Sequence, residues 1–469
     1  MGGMEERQAV RIGVGKEDRM NIAKIRKAMS APPKRTPIRA FLVLLALLPS
    51  FLTCPGCGHV SGYLGFWERQ RELKKEFHEE PSAEMLRELQ PDDCYLLVGR
   101  VVLNRGHKGP ILVVAVTDKF QKREIVVSRI LQTPVDYYQA YLPEGSYDLY
   151  FFADLDGNGY FDAHEMIGQT SGEPIEISKT GVKDGLTING PSFTLDLNGP
   201  ATTELPMKVK VREQAFVYPS LDDEFFDPKY GVMGLYDPKA MLAHTQRFFF
   251  SLEKFDPDKT IVVFVHGIGG TPRDFKYLVE GLDKTLYQPL FYFYPSGMPL
   301  QKLGSLLADI IQLANKTQTY RFNRVIVVAH SMGGLVALSA LNQVCLDGSP
   351  PYLKGYVSFN SPYGGVEAAK MAETMPVVVP SWADIATGSP FLERLYQGNA
   401  LKNIPFYLFF GYKTGDSSDG TITLQSQLEP KIHLAAFKSY GFNATHVGIL
   451  NNEESRKVFN GILKQAVTK

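Results

Sequence analysis

The second half of the chain alternates between short apolar runs and longer segments with apolar residues at helical spacing. The runs are TIVVFVHG (260–267), LFYFYP (290–295), RVIVVAHS (324–331), GYVSFNSP (355–362), FYLFFGYK (406–413) and HLAAFKSY (433–440). The helical segments are TPRDFKYLVEGLDK (271–284), LQKLGSLLADIIQLANK (300–316), GGLVALSALNQV (333–344) and ESRKVFNGILKQAV (454–467). Short β-branched and aromatic runs predict buried strands. Repeated strand–helix units predict an α/β domain over residues 256–469, with a mostly parallel sheet and helices on both faces.

Residues 91–200 follow a different pattern. Short β-rich runs, such as CYLLVGRVVL (94–103) and YDLYFFAD (147–154), are separated by Gly, Pro and Asn turns. Turns about ten residues apart are typical of antiparallel sheets. The pattern predicts a small all-β, sandwich-like domain ahead of the parallel sheet.

Two stretches connect these parts of the chain. Residues 58–90 are highly charged and helix-prone, which predicts a helical spacer. Residues 201–255 are expected to be a connector with some helix in DPKAMLAHTQRFFFSLEKF (237–255).

The first 57 residues have the pattern of an export leader. A basic stretch (34–39) precedes the apolar AFLVLLALLPSFL (40–52), and small residues follow. The apolar run is too short to span a bilayer comfortably, so a signal peptide is the better interpretation. Met20 and Met29 are alternative start residues.

The leader ends at a Cys-Pro-Gly-Cys-Gly sequence. Cys57 resembles the acylated cysteine of a bacterial lipoprotein, and Cys54 is its competitor because neither stands in an ideal lipobox. Plain cleavage and secretion is the alternative. Each interpretation predicts that the mature protein works outside the cytoplasm, either lipid-anchored in a bacterial cell envelope or free in the periplasm or medium.

Charge and cysteine content exclude some classes of function. Lys and Arg number 50, Asp and Glu number 50, and the net charge is zero. No basic segment interleaves with aromatic residues, so nucleic acid is not an expected partner. Four cysteines are too few for a disulfide scaffold.

A strand and a helix meet at Ser331. The run RVIVVA (324–329) leads directly into His-Ser, and the helix begins at the two glycines that follow. The chain must turn sharply there, so Ser331 is expected at the apex of a strained turn with its hydroxyl outward, as in the G-x-S-x-G nucleophile elbow. Ala329 stands in place of the first glycine. The alternative is an ordinary strand–helix turn with the serine as N-cap.

A serine nucleophile needs a base, an acid to orient the base, and donors for the oxyanion. VHGIGG (265–270) follows the first strand of the parallel sheet, so the N–H of Ile268 is one candidate donor and that of Met332 the other. A phosphate-binding loop is the alternative, but the G-x-G-x-x-G pattern and the P-loop lysine are missing.

His446 is the candidate base, because it lies in a loop between the last strand and the last helix. His433 is expected at the start of a strand, and His330 is held beside the serine. For the acid, the loop after FYLFFGYK contains Asp416 and Asp419. Asp419 is preferred because it lies farther from the strand end and is followed by a glycine, although an Asp-Gly pair is also a common turn.

Together these motifs resemble the α/β-hydrolase family, in particular its lipase-type members with VHGIGG and HSMGG. The similarity extends over about 260–465 and includes SPYGG (361–365). The resemblance implies a serine hydrolase acting on carboxylic esters through an acyl-enzyme, with Ser331 as nucleophile, His446 as base and Asp419 as orienting acid. It implies no cofactor for catalysis. Ala329 is a mild departure from the family's pattern, because its methyl group crowds a turn where the pattern has glycine.

The substrate is less well defined. Residues 366–400 lie where this fold often inserts a lid, and the apolar MPVVVPSW (375–382) favours a lipophilic ester or lipid substrate. An acyltransferase or amidase using the same three residues is the alternative function. A non-enzymatic surface binding protein is a third, which the complete set of candidate catalytic residues disfavours.

The β-rich domain contains ADLDGNGYFDAHE (153–165). Counted from Asp154, oxygen donors fall at the ligand positions of an EF-hand calcium loop: Asp154, Asp156, Asn158, Tyr160 through its carbonyl, Asp162 and Glu165. Gly159 stands at the sixth position, where the sharp turn needs it. The preceding YDLYFF favours a strand, so the sequence predicts a structural Ca²⁺ loop inserted in a β-domain. The alternative is a solvated Asp/Asn/Gly turn.

Overall fold

The structure, a computed structural model, describes most of the chain from Cys94 onward. The described residues are 63, 94–104, 109, 111–119, 122–131, 137–178, 187–205, 208–210, 220–245, 248–316, 322–374 and 379–467. The predicted export leader, with Cys54 and Cys57, lies outside them, as does the predicted spacer except for Tyr63.

The β-rich region forms two main sheets from short strands. Its strands are β1 (Cys94–Leu103), β2 (Ile111–Lys119), β3 (Lys122–Leu131), β4 (Tyr137–Pro143), β5 (Gly145–Ala153), β6 (Tyr160–Asp162), β7 (Met166–Gln169), β8 (Ile175–Ile177), β9 (Thr187–Asn189), β10 (Phe193–Leu195) and β11 (Lys208–Lys210). One sheet has the order β3-β2-β5-β7 with β8 on β5, and the other has the order β10-β1-β4 with β9 on β1. The predicted all-β region is therefore present. The pairing is not wholly antiparallel, because β9 and β10 both run parallel to β1.

The sheet around β2 is buried on both faces. Alternate residues point to opposite faces of a strand, and Val113 packs into the core shared with the other sheet. Val114, on the opposite face, packs with Phe161 of β6 in a smaller cluster. The loop that carries the predicted calcium ligands is thus attached to the sheet through a buried aromatic side chain.

Among the described residues, the second half of the chain forms a seven-stranded sheet. Its strands are β12 (Phe249–Ser251), β13 (Thr260–Val265), β14 (Tyr287–Tyr292), β15 (Val325–His330), β16 (Leu353–Phe359), β17 (Phe406–Tyr412) and β18 (Lys438–Asn443). The order is β12-β14-β13-β15-β16-β17-β18, and every pairing is parallel except that of β12 with β14. The predicted mostly parallel sheet is confirmed, and β15 lies near its centre.

The α-helices of the described region are α1 (Pro228–Tyr236), α2 (Pro238–Thr245), α3 (Lys276–Glu280), α4 (Leu300–Lys316), α5 (Met332–Val344), α6 (Pro380–Ile385), α7 (Pro390–Leu395), α8 (Ala400–Asn403), α9 (Leu424–Gln427), α10 (Pro430–Ala435) and α11 (Glu453–Val467). Short 3₁₀ turns cover Glu224–Phe226, Pro272–Phe275, Glu367–Thr374 and Gly448–Asn451. None of these helices is both long and apolar enough to cross a bilayer.

The helices cover both faces of the sheet. Successive residues of a strand point to opposite faces, so neighbouring residues pack against different helices. Val263 and Val327 pack in one cluster with buried residues of α4 and α5. Their neighbours Val262 and Ile326 pack in the other cluster, with residues of α3 and α11. Both faces of the central strands are apolar, so their sequences are continuous hydrophobic runs.

Two predicted elements differ in the structure. The run HLAAFKSY was predicted as one strand, but its first residues end helix α10 and the strand begins only at Lys438. The Glu429-Pro430 pair before it starts a helix, because proline is well tolerated at the first helical position. In 237–255, where some helix was expected, helix α2 ends at Thr245 and Phe249–Ser251 form edge strand β12.

The stretch 201–255 contributes to the main sheet. Strand β12 pairs with β14 at its edge, and helix α1 packs against the loop after β13. A Cβ on Gly231 of α1 would collide with the carbonyl oxygen of Gly269, so the helix and that loop are in backbone contact. The region expected to be a connector therefore supports the carboxyl edge of the sheet.

The insertion between β16 and β17 is mostly helical where it is described. Phe391 and Leu392 of α7 are buried in the core. The Asp384 carboxylate accepts a 2.7 Å hydrogen bond from the backbone N–H of Leu300, at the start of α4. Residues 375–378 of the apolar stretch MPVVVPSW lie outside the described residues.

Candidate active site

Ser331 follows β15 directly and has a backbone conformation that few non-glycine residues adopt. Its φ is 54° and its ψ is −132°. A Cβ on Gly333 would collide with the carbonyl oxygen of His266, and one on Gly267 would lie 2.9 Å from Cβ of Ser331. Small residues therefore let strand β13, strand β15 and helix α5 approach closely enough to form the sharp turn that the sequence predicts.

Ser331, His446 and Asp419 form a continuous hydrogen-bonded chain. Nε2 of His446 lies 2.9 Å from Oγ of Ser331, and its Nδ1 lies 2.7 Å from Oδ2 of Asp419. An ionised carboxylate only accepts hydrogen bonds, so Nδ1 carries the ring proton. Nε2 is then the acceptor for the serine hydroxyl, which is the arrangement that a general base requires.

The Asp419 carboxylate is fully buried, whereas the His446 ring is 12% exposed. Oδ1 of Asp419 accepts hydrogen bonds of 2.8 and 2.7 Å from the N–H groups of Thr421 and Ile422. The remaining oxygen, Oδ2, faces His446. Asp416, the competing acid, is exposed and accepts a hydrogen bond from Ser418. The structure thus brings Asp419, and not Asp416, to the histidine.

Of the two predicted oxyanion donors, Met332 directly follows the serine, and Ile268 follows Gly267, where an added Cβ would lie 2.9 Å from Cβ of Ser331. Met332 is the first residue of α5, where backbone N–H groups have no intrahelical acceptor. Next to Ile268, the N–H of Gly269 donates to Oγ of Ser296 and that of Gly270 to the carbonyl of Gly267. Among the described residues, no acceptor is bonded to the Ile268 N–H, so it is available to a substrate oxygen.

The loop after β13 is braced by residues that the sequence did not single out. Oγ of Ser296, four residues after the end of β14, accepts a hydrogen bond of 2.9 Å from the Gly269 N–H. Oγ1 of Thr271 donates to the carbonyl of Phe226, and the Arg273 guanidinium donates to the carbonyls of Leu221 and Asp223. The sequence signal for Ser296 was weak: a polar residue two positions after a strand-like aromatic run.

The other local histidines are not placed to act as the base. Nε2 of His330 lies 2.9 Å from the carbonyl oxygen of His446, so the ring donates away from the serine hydroxyl. Burial lowers the pKa of His330 to about 3, with a smaller contribution from His446. Burial also lowers the pKa of His266 to about 4. His433 lies in α10, before β18 begins, and thus at the opposite edge of the sheet.

The predicted calcium ligands also lie together. Oxygen atoms of Asp154, Asp156 and Glu165 are within 4.8 Å of one another. Glu165 is buried, and its two oxygens accept hydrogen bonds from the N–H groups of Leu155, Asp156 and Asp162. Asn158 donates to Asp156 and Asp162 through Nδ2, and its Oδ1 accepts from the Tyr160 N–H.

Two features of this loop fit a bound cation. Gly159 has a φ of 81°, which glycine adopts without strain. Oδ1 of Asp154 is buried and has no hydrogen-bond partner within the described residues. A buried carboxylate oxygen without a partner is costly. The cost is removed if a metal ion ligates the oxygen.

Comparison with known proteins agrees with this fold. Residues 262–430 match the model of the alpha/beta hydrolase family. One curated relative, the lecithin-cholesterol acyltransferase-like 1 protein of Arabidopsis thaliana, is 33% identical over 97 residues. That match covers 20% of this chain and 19% of the relative, so the chain spans about a fifth of that protein's length.

Solved structures with similar folds include lipases. The Bacillus licheniformis lipase BlEst2 in its mature form is 19% identical, with a TM-score of 0.38, and covers 46% of this chain and 98% of its own. Phospholipase PlaB of Legionella pneumophila is 13% identical, with a TM-score of 0.29, and covers 36% of this chain and 45% of its own. The family match over residues 262–430 and the mostly parallel sheet agree in giving this part of the chain the alpha/beta-hydrolase fold.

Proposed function

We propose that the protein is a serine hydrolase that cleaves carboxylic esters through an acyl-enzyme. The observation that carries the proposal is the chain of 2.9 and 2.7 Å contacts from Ser331 through His446 to Asp419. Its setting at the carboxyl edge of a parallel sheet, next to two backbone donors, supports the same chemistry.

The reaction follows from the roles of these groups. Nε2 of His446 takes the hydroxyl proton as Oγ of Ser331 attacks the ester carbonyl carbon. The N–H groups of Ile268 and Met332 stabilise the negative oxygen of the tetrahedral intermediate. The imidazolium then gives its proton to the leaving alkoxide, and the C–O bond breaks. Water repeats the sequence in the second half-reaction, which releases the acid and restores the serine.

We propose a lipophilic acyl group for the substrate. Val447, directly after the catalytic histidine, is 46% exposed, and the insertion between β16 and β17 is apolar over 375–382. An exposed apolar side chain next to His446 and an apolar stretch in the sequence of the insertion favour acyl chains over small polar acids.

A chain-length series of p-nitrophenyl esters tests the proposal. Turnover should rise from acetyl to medium or long acyl chains and should exceed turnover of the matching p-nitroanilides. Phospholipid and triacylglycerol substrates belong in the same series. If no ester in the series is hydrolysed, the proposed function is wrong.

Acyl transfer is a second candidate, supported by the 97-residue similarity to an acyltransferase-like protein. It uses the same acyl-enzyme and differs only in the acceptor of the second half-reaction. Adding a long-chain alcohol to the assay should then divert product from free acid to ester. An unchanged yield of acid at saturating alcohol would exclude this candidate.

We further propose that the loop 154–165 binds Ca²⁺ and stabilises the β-domain. The buried, unpartnered Oδ1 of Asp154 and the clustered oxygens of Asp156 and Glu165 support this. Oxygen ligands on a flexible loop are what Ca²⁺ prefers. The ion has no part in the ester chemistry.

Calcium should therefore raise the melting temperature of the full-length protein. Calcium at 100 times its Kd would stabilise the folded state by about 2.7 kcal/mol. Asp154→Ala should abolish the increase, whereas Glu173→Ala, an exposed acid outside the loop, should retain it. An unchanged melting temperature and no calorimetric signal at millimolar calcium would mean that the loop is an ordinary turn and not a calcium site.

We also propose that the protein is exported and held at a bacterial cell envelope by a lipid on Cys57. The order of basic, apolar and small residues before this cysteine supports the proposal. Wild-type mature protein should partition into the detergent phase, and Cys57→Ser should move it to the aqueous phase. Release by Cys54→Ser alone would place the anchor three residues upstream. Wild-type mature protein found in the aqueous phase would mean that the protein is secreted without a lipid anchor.

A further inference from the structure

Two non-glycine residues in the described part of the chain have a positive φ. One is Ser331 at 54° and the other is Asn360 at 48°. They directly follow the neighbouring strands β15 and β16 at the same edge of the sheet. The turn at Ser331 is explained by the nucleophile elbow, but that at Asn360 is not. Asparagine tolerates this conformation better than most residues, yet it remains strained there.

The side chain of Asn360 is fully buried and is directed at the loop that carries His446. Its Nδ2 donates to the carbonyl oxygen of His446 at 3.0 Å and lies 3.5 Å from that of Thr445. Turning the amide over would place an oxygen against these two oxygens, so the orientation is fixed. Within the described residues Oδ1 is buried without a partner. Asn360 thus carries backbone strain and an unsatisfied acceptor while it contacts the loop of His446.

His330 donates to the same carbonyl oxygen. Its Nε2 lies 2.9 Å from the oxygen of His446, and a carbonyl only accepts, so Nε2 carries the hydrogen. The ring is buried and neutral, because its pKa is lowered to about 3 by burial. A carbonyl oxygen has two lone pairs, and Asn360 and His330 occupy both.

The peptide groups on both sides of the His446 side chain are therefore held. The N–H of His446 donates to the carbonyl oxygen of Asp419 at 3.0 Å, and the same aspartate holds Nδ1 through its side chain. With the backbone fixed at both peptide groups, the imidazole has little freedom to move away from Oγ of Ser331.

We propose that Asn360 and His330 are positioning residues that together clamp the carbonyl of His446 and thereby set the distance from its Nε2 to Oγ of Ser331. The proposal rests on the proposed function of this site. In this role both side chains act through His446 and do not touch the substrate. A displacement of about 1 Å at reacting groups can cost about 100-fold in rate. Loss of the clamp should therefore lower kcat and leave KM unchanged.

The sharpest variant is Asn360→Gly. Glycine adopts a positive φ without strain, and the substitution removes the unsatisfied Oδ1 acceptor. These two gains offset the lost side-chain contacts, so the melting temperature should remain near that of wild type. We expect kcat for p-nitrophenyl esters to fall about 10- to 100-fold with KM unchanged. A purely structural role predicts the reverse: a lower melting temperature and wild-type kcat in the folded protein.

Two variants of His330 provide a matched pair. His330→Gln keeps a donor close to the position of Nε2 and should retain most of kcat. His330→Leu keeps apolar volume but removes the donor, and should lose about as much kcat as Asn360→Gly. Equal activity of the glutamine and leucine variants would overturn the role of this hydrogen bond.

Asn342→Ala is the control, because its Nδ2 also donates to a backbone carbonyl, that of Leu395, away from the active site. It should lower the melting temperature without changing kcat.

A spectroscopic measurement separates this proposal from the proposed function. The proton on Nδ1 of His446, bonded to Asp419, should give a strongly downfield ¹H resonance that is lost in His446→Ala. Asn360→Gly should broaden or shift it, whatever substrate the protein turns over. An unperturbed resonance, together with wild-type kcat where esters are turned over, would overturn the clamp. Wild-type inactivity on all esters with a perturbed resonance would overturn only the proposed function.

Discussion

Replacing Ser331 with alanine is expected to lower ester hydrolysis by about 10⁴-fold or more. The hydroxyl that attacks the carbonyl is lost, and the members of such a triad act as a unit, so little of their joint effect survives. The substitution removes one oxygen from a turn shaped by Gly267 and Gly333, so the fold should be retained. Initial rates on the best p-nitrophenyl ester measure the effect.

Ser339→Ala is the matched control for this substitution. Ser339 is also buried and lies on α5, the helix that begins directly after Ser331. Within the part of the chain that the structure describes, the hydrogen bonds of the His446 ring go to Ser331 and Asp419 and not to Ser339, so the Ser339 variant should keep wild-type kcat. If Ser331→Ala retains most of the activity, the nucleophile is another residue.

Asp419→Asn is expected to lower kcat by about 10⁴-fold. The buried carboxylate holds Nδ1–H of His446 at 2.7 Å and stabilises the imidazolium that forms when the serine loses its proton. An asparagine amide can present its NH₂ to Nδ1 instead, which favours the tautomer with hydrogen on Nε2. That nitrogen can then no longer accept the serine proton.

Asp416→Asn, in the same loop, is the matched control for Asp419→Asn. Asp416 lies three positions earlier, is exposed and bonds to Ser418, so its variant should keep wild-type kcat. The opposite ranking of the two variants would make Asp416 the acid. Equal and mild effects would place the acid elsewhere in the chain.

The sequence predicted the parallel sheet well because its strands are buried on both faces. Burial on both faces requires continuous apolar runs, which are visible without an alignment, as in 260–265 and 325–330. The polar residues at the carboxyl ends of these runs must then meet at one edge of the sheet. For that reason Ser331, Asp419 and His446 could be proposed from the motifs around them and their positions after predicted strands.

Other features depend on contacts that local patterns do not encode. The short run at 433–440 fits a helix and a strand equally well by periodicity, and only packing separates α10 from β18. The edge strand β12 exists because β14 offers it a partner. The contact of Asn360 with the carbonyl of His446 joins residues 86 positions apart. No short motif around Asn360 could have indicated it.

Covalent labelling with a fluorophosphonate shows whether Ser331 is an activated nucleophile. The probe reacts with a serine hydroxyl that an adjacent base deprotonates, and no natural substrate needs to be known. Digestion and mass spectrometry should place a single phosphonyl group on the peptide with Ser331, with no label on Ser331→Ala. Wild-type protein that stays unlabelled, or a label that persists in Ser331→Ala, would mean that Ser331 is not the activated nucleophile.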